Sequence, residues 1–300
     1  MVVEAGERTI DAVAGCFFGG AIGDAAGTAF ENEQQQRQTD AFDFNSWRLS
    51  DDTQLTLATC EAILSFKSPD PEAIAKALLR WHRQRRLTGL GASTLKALRD
   101  LEAGNHWALS GRGGERAAGN GAAMRIAPLA FIVDPEEDAG RRLIRDVARI
   151  THQNDEAYVG SLAVVFAIHA ARVGPFQITE IASKLPDTLV RDRLREIAAL
   201  PVEVGIVEAA SRFGASGYVV ESVPLALFAA RQAEEIGYTA MLQELLSAGG
   251  DADTNASIAG QIVGARIGLN GLPKELVDRL PEREMIMDIA AQFAKHVAAA

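Results

Sequence analysis

Apolar residues recur at helical spacing along almost the whole chain, and this period limits the possible folds more than any other feature. Residues 12–29 are rich in alanine and glycine, which suits close contact between helices better than a β-strand. Clear alternation of apolar and polar residues, the mark of a strand, is missing; residues 218–220 are the best short candidate. We therefore predict an all-α protein of about a dozen helices.

Helical spacing, together with the signals that start and stop helices, sets the predicted elements. They are residues 12–29, 55–66, 71–86, 92–101, 137–150, 156–171, 178–184, 189–199, 224–233, 238–248, 256–269 and 281–300. Glycine-rich stretches separate several of them, but none is long or of low complexity, and no internal repeat is found. We therefore predict that residues 1–300 form a single compact domain.

Charge and cysteine usage narrow the class of protein. The formal net charge is −10, which disfavours nucleic acid as a partner, since such binding needs a basic face. The first nine residues lack a basic segment and Asp24 interrupts the apolar stretch that follows, so neither a signal peptide nor a membrane span is predicted. Cys16 and Cys60 lie in apolar helical runs, which favours buried free thiols. These features predict a cytoplasmic protein without membrane partners.

Two acidic clusters stand directly before helices: Ser50-Asp51-Asp52-Thr53 and Asp251-Ala252-Asp253-Thr254. Each is compatible with ordinary helix capping, but a cap needs only one such residue. If the clusters meet, their four carboxylates require bound cations or raised pKa values. Carboxylate and hydroxyl oxygens suit Mg²⁺, Mn²⁺ or Ca²⁺, whereas scattered cysteines and the absence of paired histidines disfavour zinc.

Three further motifs carry possible chemistry. Glu31 follows a Gly-Asp-Ala-Ala-Gly segment that begins at Gly23, and it is either a solvated charge or a functional carboxylate. A Gly119-Asn120-Gly121 turn can offer backbone N–H groups to a phosphate, although it lacks the features of a P-loop. His152 lies at a junction between two predicted helices, where a structural role is the simpler interpretation. No nucleophilic serine or cysteine stands in a catalytic motif.

In this order, the motifs resemble those of the ADP-ribosylglycohydrolase family. The resemblance rests on Gly-Asp-Ala-Ala-Gly with Glu31, Ser-Asp-Asp-Thr, Gly-Asn-Gly-Ala-Ala-Met-Arg-Ile-Ala-Pro, Thr-His and Gly-Gly-Asp-Ala-Asp-Thr-Asn, with support from residues 214–224. It covers residues 13–273. Each motif is weak alone, and their joint order is specific.

The resemblance implies an all-α hydrolase that binds two divalent cations, Mg²⁺ or Mn²⁺, and cleaves the glycosidic bond between ADP-ribose and an acceptor. The expected partner is an ADP-ribosylated protein or a small molecule that contains ADP-ribose. The roles that it implies for single residues are metal ligation by Ser50, Asp51, Asp52, Asp251, Asp253 and Thr254, proton transfer by Glu31 or Asp52, and substrate binding by Gly119, Asn120, Gly121 and His152.

One departure bears on specificity. Some branches of the family carry an Asp-Ile-Gly segment where this chain reads Gly89-Leu90-Gly91, so the acceptor preference of those branches does not transfer. Three alternatives stay open: a catalytically silent protein that binds ADP-ribose, a dinuclear-metal hydrolase of phosphate esters, and a plain helical protein with two well-capped helices.

Overall fold

The computed structural model describes residues 2–34, 44–66, 69–201 and 203–299, and it confirms the predicted all-α class. The described residues are 74% helical, and fourteen of the elements are α-helices. Their bounds are α1 Val2–Gln34, α2 Asp51–Phe66, α3 Pro71–Arg83, α4 Ala92–Glu102, α5 Asp138–Arg149, α6 Asp155–Ala171, α7 Ile178–Lys184, α8 Leu189–Ala198, α9 Ile206–Phe213, α10 Val219–Ile236, α11 Tyr238–Ala248, α12 Ala252–Gly271, α13 Lys274–Arg279 and α14 Arg283–Ala299.

The centre of the fold is an antiparallel pair formed by α1 and α12. Glycines at a spacing of four residues along α1 face the backbone of α12: Gly15 lies against Gly264 and Gly268, and Gly19 against Gly260. A side-chain carbon at Gly15 or Gly19 would overlap a carbonyl oxygen of α12, so only glycine permits this approach. The two helices are therefore in backbone contact over several turns, a closeness that larger residues prevent.

Further helices surround this pair and bury it in one continuous hydrophobic core. Among the described residues, the segment Gly6–Glu31 of α1 is long and apolar enough to cross a membrane, with a mean hydropathy of 1.2. In the structure, however, 89% of the 18-residue stretch of this segment that has this hydropathy is buried inside the protein. The apolar residues of α1 are thus accounted for by contacts with the other helices.

Several boundaries differ from the sequence prediction. The short segment 218–220, too brief to be predicted as a strand, leads into a helix: Val219 and Val220 form the first turn of α10 and are buried there. Burial of these β-branched side chains in the core overrides their strand propensity. Pro224, which marks the predicted start of this helix, lies inside it. Helices α9 and α13 were not predicted, since both are short, with eight and six residues.

The small sheet was not predicted either. Strand β1, Arg112–Gly113, pairs in parallel with β2, His152–Gln153, with Arg112 opposite His152. Strands of two residues leave no periodic pattern in a sequence, so they are invisible to an analysis of periodicity. Their effect is local: they fix the position of His152 relative to the glycine-rich segment that leads to the Gly119–Gly121 turn.

The glycine contacts generate a stability prediction with a control on the same helix. We expect Gly19→Ala to lower the free energy of unfolding by about 1–3 kcal/mol, since the added carbon overlaps the Gly260 carbonyl oxygen. Gly6→Ala meets no atom within 4 Å, and we expect it to stabilise α1 by about 0.5–1 kcal/mol. Urea unfolding of both variants measures the difference. Equal effects would show that the close approach does not control stability.

Candidate active site

Asp24 connects α1 to the first acidic cluster. Its carboxylate accepts hydrogen bonds from the backbone N–H groups of Ser50 and Thr53, each at 3.1 Å, and from Thr53 Oγ1 at 2.5 Å. The side chain is fully buried. Free N–H groups at the start of a helix need acceptors, and a carboxylate from another helix supplies them at α2. Asp24 thereby fixes where α2 begins.

Glu31 performs a similar task two helical turns further along α1. Its Oε1 accepts hydrogen bonds from the backbone N–H groups of Ala252, at 2.7 Å, and Asp253, at 3.4 Å. These are the first residues of α12, so Glu31 caps that helix. Gly27, between the two carboxylates on the sequence, allows the backbone of Asp253 to lie directly against α1. The side chain of Glu31 therefore has a defined structural partner, and it is not a solvated surface charge.

The two acidic clusters meet in the structure. Thr254 Oγ1 donates a hydrogen bond to Asp52 Oδ2 at 3.1 Å, which links the start of α12 to the start of α2. Ser50 Oγ lies 3.4 Å from the same oxygen. Carboxylate oxygens from different parts of the chain converge within 4.8 Å of one another in two groups that share Asp253. These groups are Asp24 with Asp52 and Asp253, and Glu31 with Asp251 and Asp253.

The Gly119–Gly121 turn approaches the same place from the other side. Asn120 Nδ2 donates to Asp251 Oδ2 at 2.6 Å, and the Asn120 backbone N–H donates to the Gly217 carbonyl at 3.1 Å. An isolated antiparallel bridge joins Gly119 to Tyr218. The turn is therefore held by the segment before α10 and by the second acidic cluster.

These elements enclose a cleft of about 280 Å³. Nine of the predicted site residues line it, whereas Ser50 and Glu31 are not among the lining residues. Much of one wall was not predicted; it comes from the segment around the start of α4. The lining residues are Asp51, Asp52, Gly89, Gly91, Ala92, Ser93, Thr94, Gly119, Asn120, Gly121, Met124, His152, Gly217, Asp251, Asp253 and Thr254.

Burial and mutual repulsion dominate the electrostatics of the carboxylates. Burial, together with the charge of Asp24, raises the pKa of Asp51 to about 8. Burial and the charge of Glu31 raise the pKa of Asp253 to about 9. The pKa of Asp52 also lies well above its usual range, because this carboxyl is buried beside Asp253. The protein thus holds several acids together under conditions in which they resist ionisation.

The donor set fits divalent cations with a preference for oxygen ligands. Asp52 Oδ1 is buried and has no hydrogen-bond partner among the described residues, although its other oxygen has two. A buried carboxylate oxygen without a partner is costly unless a cation completes its environment. The two convergent groups contain only carboxylates, which suits Mg²⁺ or Mn²⁺ better than zinc.

Asp24 is the site residue whose importance could have been predicted most readily from the sequence. It stands in the Gly-Asp-Ala-Ala-Gly segment that carries part of the family resemblance, yet no role was predicted for it. A carboxylate in the middle of an apolar helix is expensive to bury without partners. That cost is itself the signal: such a residue must accept hydrogen bonds or bind a cation. The hydrogen-bond partners of Asp24 belong to residues 50–53, and no local sequence pattern shows that this segment contacts Asp24.

Comparison with known proteins places the fold in a class. A solved structure described as an ADP-ribosylglycohydrolase-related protein complex superposes with a TM-score of 0.70 at 26% identity, covering 97% of this chain and 99% of that chain. The class is therefore that of the all-α ADP-ribosylglycohydrolase fold.

The family profile of the ADP-ribosylglycohydrolases matches residues 5–300, and the chain belongs to that family. An uncharacterised protein from Archaeoglobus fulgidus is 30% identical over 93% of this chain and 94% of its own length. The ADP-ribosylarginine hydrolase Tri1 from Pseudomonas putida is 28% identical over 96% of this chain and 79% of its own length. Membership of the family supports hydrolysis of ADP-ribosyl linkages as the activity.

The raised pKa values generate a prediction about pH and cations. Since the folded protein retains protons on Asp51 and Asp253 that the unfolded chain releases near pH 4, the metal-free protein should lose stability as the pH rises towards 8 or 9. Cations that replace those protons should stabilise the protein more at about pH 8.5 than at about pH 5.5. Thermal unfolding with EDTA or with excess Mn²⁺, at both pH values, measures this.

The control for this prediction is the double variant Asp51→Asn, Asp253→Asn, whose amides do not titrate. Its melting temperature with EDTA should depend less on pH than that of the wild type. A cation-induced shift of equal size at both pH values would contradict the prediction.

Proposed function

We propose that this protein is a metal-dependent hydrolase that cleaves the glycosidic bond between ADP-ribose and a modified protein side chain, and so reverses ADP-ribosylation. The observation that carries the proposal is the convergence of two carboxylate groups, sharing Asp253, at one cleft with a buried, unpartnered oxygen of Asp52. Six residues, namely Ser50, Asp51, Asp52, Asp251, Asp253 and Thr254, are the proposed ligands of two cations, Mg²⁺ or Mn²⁺.

The cleft separates the charges that such a substrate requires. The diphosphate of ADP-ribose is an anion and would be repelled by the carboxylates, so it needs neutral donors at a distance from them. The backbone N–H of Gly119 makes no hydrogen bond to a described residue, and that of Gly121 lies in the first turn of a short 3-10 helix, Asn120–Ala122, where N–H groups have no partner within the helix. Both glycines line the cleft. The Asn120 N–H is occupied by the Gly217 carbonyl. We therefore assign the diphosphate to the two glycines on either side of Asn120.

The carboxylates would act at the other end of the substrate, where the distal ribose is joined to the acceptor. When bound, the cations supply Lewis-acid chemistry: they neutralise the carboxylates, orient the ribose hydroxyls and lower the pKa of water. Hydrogen bonds from Ser50 Oγ and Thr254 Oγ1 hold the Asp52 carboxylate in place. The acidic residues stabilise the positive charge that develops at C1 as the bond to the acceptor breaks.

Glu31 is the proposed general base that accepts a proton from the attacking water. It is more exposed than Asp52, and burial raises its pKa towards the range that suits proton transfer. Its position at the N-terminus of α12 is held by hydrogen bonds to one oxygen, Oε1. Asp52 is the alternative base, but both its location between the clusters and its hydrogen bonds favour a role as ligand.

A panel of defined substrates tests the activity. Peptides ADP-ribosylated on arginine or on serine, and O-acetyl-ADP-ribose, are incubated with the full chain and Mg²⁺ or Mn²⁺, and the products are identified by mass spectrometry. We expect release of intact ADP-ribose from a peptide, loss of activity with excess EDTA, and a decrease of at least about 100-fold in Asp253→Asn. Release of AMP or phosphate would favour a phosphoester hydrolase, and binding without turnover would favour a silent member.

The role of Glu31 is tested by separating its charge from its capping contact. Glu31→Gln keeps an oxygen that accepts from the Ala252 N–H but cannot take a proton, so we expect kcat to fall by about 10²–10⁴-fold while folding is retained. Glu31→Ala also removes the cap and should lose about 1 kcal/mol of stability. Steady-state kinetics and thermal unfolding distinguish the two effects. Wild-type turnover in Glu31→Gln, with Mn²⁺ binding intact, would leave Glu31 with a capping role alone.

A further inference from the structure

Arg125 is a fully buried cation close to the cleft that the proposed reaction does not use. Its Nη2 donates to the Val147 carbonyl at 3.1 Å and to Thr151 Oγ1 at 2.9 Å. Its Nε and Nη1 have no hydrogen-bond partner in the described part of the chain. Burying a guanidinium is expensive, so a position that retains one with two unpartnered nitrogens calls for a physical reason.

Thr151 transmits the contact from Arg125 to His152. Thr151 Oγ1 lies 2.8 Å from His152 Nδ1, and it is the same oxygen that accepts from Arg125. The hydroxyl has one proton, and His152 Nδ1 is its one acceptor among the described residues. If Nδ1 carried the proton instead, the oxygen would accept twice and its own buried O–H would be left without an acceptor. The arrangement with every group satisfied makes Nδ1 the acceptor.

The other ring nitrogen of His152 faces the cleft. A side-chain carbon at Gly119 would lie 3.2 Å from His152 Nε2, and one at Gly121 would lie 2.9 Å from Cε1. The ring is therefore stacked against the turn whose free N–H groups we assign to the diphosphate. Nε2 makes no hydrogen bond to any described residue, and His152 lines the cleft. With Nδ1 as acceptor, Nε2 carries a proton that is available to a ligand.

We infer that Arg125 and Thr151 are positioning residues: they hold His152 as the neutral tautomer protonated on Nε2, so that it donates a hydrogen bond to a substrate oxygen beside the Gly119–Gly121 turn. The assignment of that oxygen to ADP-ribose rests on the proposed function, whereas the tautomer of His152 does not depend on the proposed function. The ligand group that the arrangement fits is an anionic or carbonyl oxygen, since Nε2–H offers a donor and no acceptor.

Two physical effects keep the imidazole neutral in this arrangement. Burial disfavours its charged form, and the adjacent guanidinium of Arg125 repels a second positive charge, so that the pKa of His152 is lowered to about 3. A neutral donor suits the cleft, because an imidazolium would compete with cations for the nearby carboxylates. Arg125 therefore acts indirectly: its hydrogen bond to Thr151 selects which ring nitrogen of His152 bears the proton.

Nitrogen NMR of the full chain, labelled with ¹⁵N in histidine, tests the tautomer without any assay of activity. The chain has five histidines, and the signals of His152 are assigned by their loss in His152→Gln. Near neutral pH we expect a protonated Nε2 and an unprotonated Nδ1. A proton on Nδ1, on both nitrogens, or exchanging between them would overturn the inference. Because no substrate is present, this result is independent of whether the protein is a glycohydrolase.

Matched variants of Thr151 test whether its hydroxyl selects the His152 tautomer and whether that tautomer contributes to ligand binding. Thr151→Val removes the hydroxyl at nearly constant shape, whereas Thr151→Ser retains it. In Thr151→Val we expect the two His152 tautomers to mix and the Kd for free ADP-ribose to rise about 3- to 10-fold, as for one lost hydrogen bond. In Thr151→Ser both the NMR pattern and the Kd should match the wild type. An unchanged tautomer in a folded Thr151→Val protein would show that Thr151 does not position the ring.

Arg125→Lys provides a second variant that keeps the charge but not the fork of donors. A lysine cannot donate in the same geometry to both Val147 and Thr151, so we expect a partial loss of the single tautomer. Thermal unfolding establishes that each variant is folded before its spectrum is compared. If none of the variants changes the spectrum of His152, the ring is oriented by the cleft itself and the inference fails.

Discussion

The backbone contact between α1 and α12 is the constraint on which the rest of this structure depends. The two helices approach this closely because four positions of α1 carry no side chain: Gly15, Gly19, Gly23 and Gly27. The last of these, Gly27, lies directly against the start of α12. This contact puts Asp24 and Glu31, two turns apart on α1, within reach of two other helix starts. Larger residues along this stripe would move α12 outwards, and the convergence of carboxylates would be lost.

The carboxylates illustrate a conflict between stability and chemistry. Asp24 and Glu31 stabilise helix starts by accepting N–H hydrogen bonds, which is a favourable arrangement. The same packing drives Asp51, Asp52 and Asp253 into mutual repulsion, which raises their pKa values. A protein that needs only capped helices has no reason to hold three further acids at this point. The excess of buried negative charge is the feature that capping leaves unexplained and that bound cations would relieve.

The wall opposite the acidic residues offers hydrogen-bond donors in place of negatively charged acceptors. There the groups offered to the cleft are neutral donors: two glycine N–H groups and an imidazole, with a positive charge kept behind them on Arg125. Asn120 joins the two sides through its hydrogen bond to Asp251. An anionic substrate with a sugar at one end can thus meet donors and acids in one cleft.

The sequence by itself determined the helical class, most helix positions and the residues that offer oxygen at the site. Those properties are local, since they follow from the 3.6-residue period and from capping signals that each segment carries on its own. It did not indicate the role of Asp24, the part of the cleft wall at residues 92–94 or the two-residue strands that hold His152, because these depend on partners far away in the chain. Only the tertiary structure decided that residues 50–53 and 251–254 meet. Their meeting is set by how closely α1 and α12 pack, and no local pattern measures the distance between two helices.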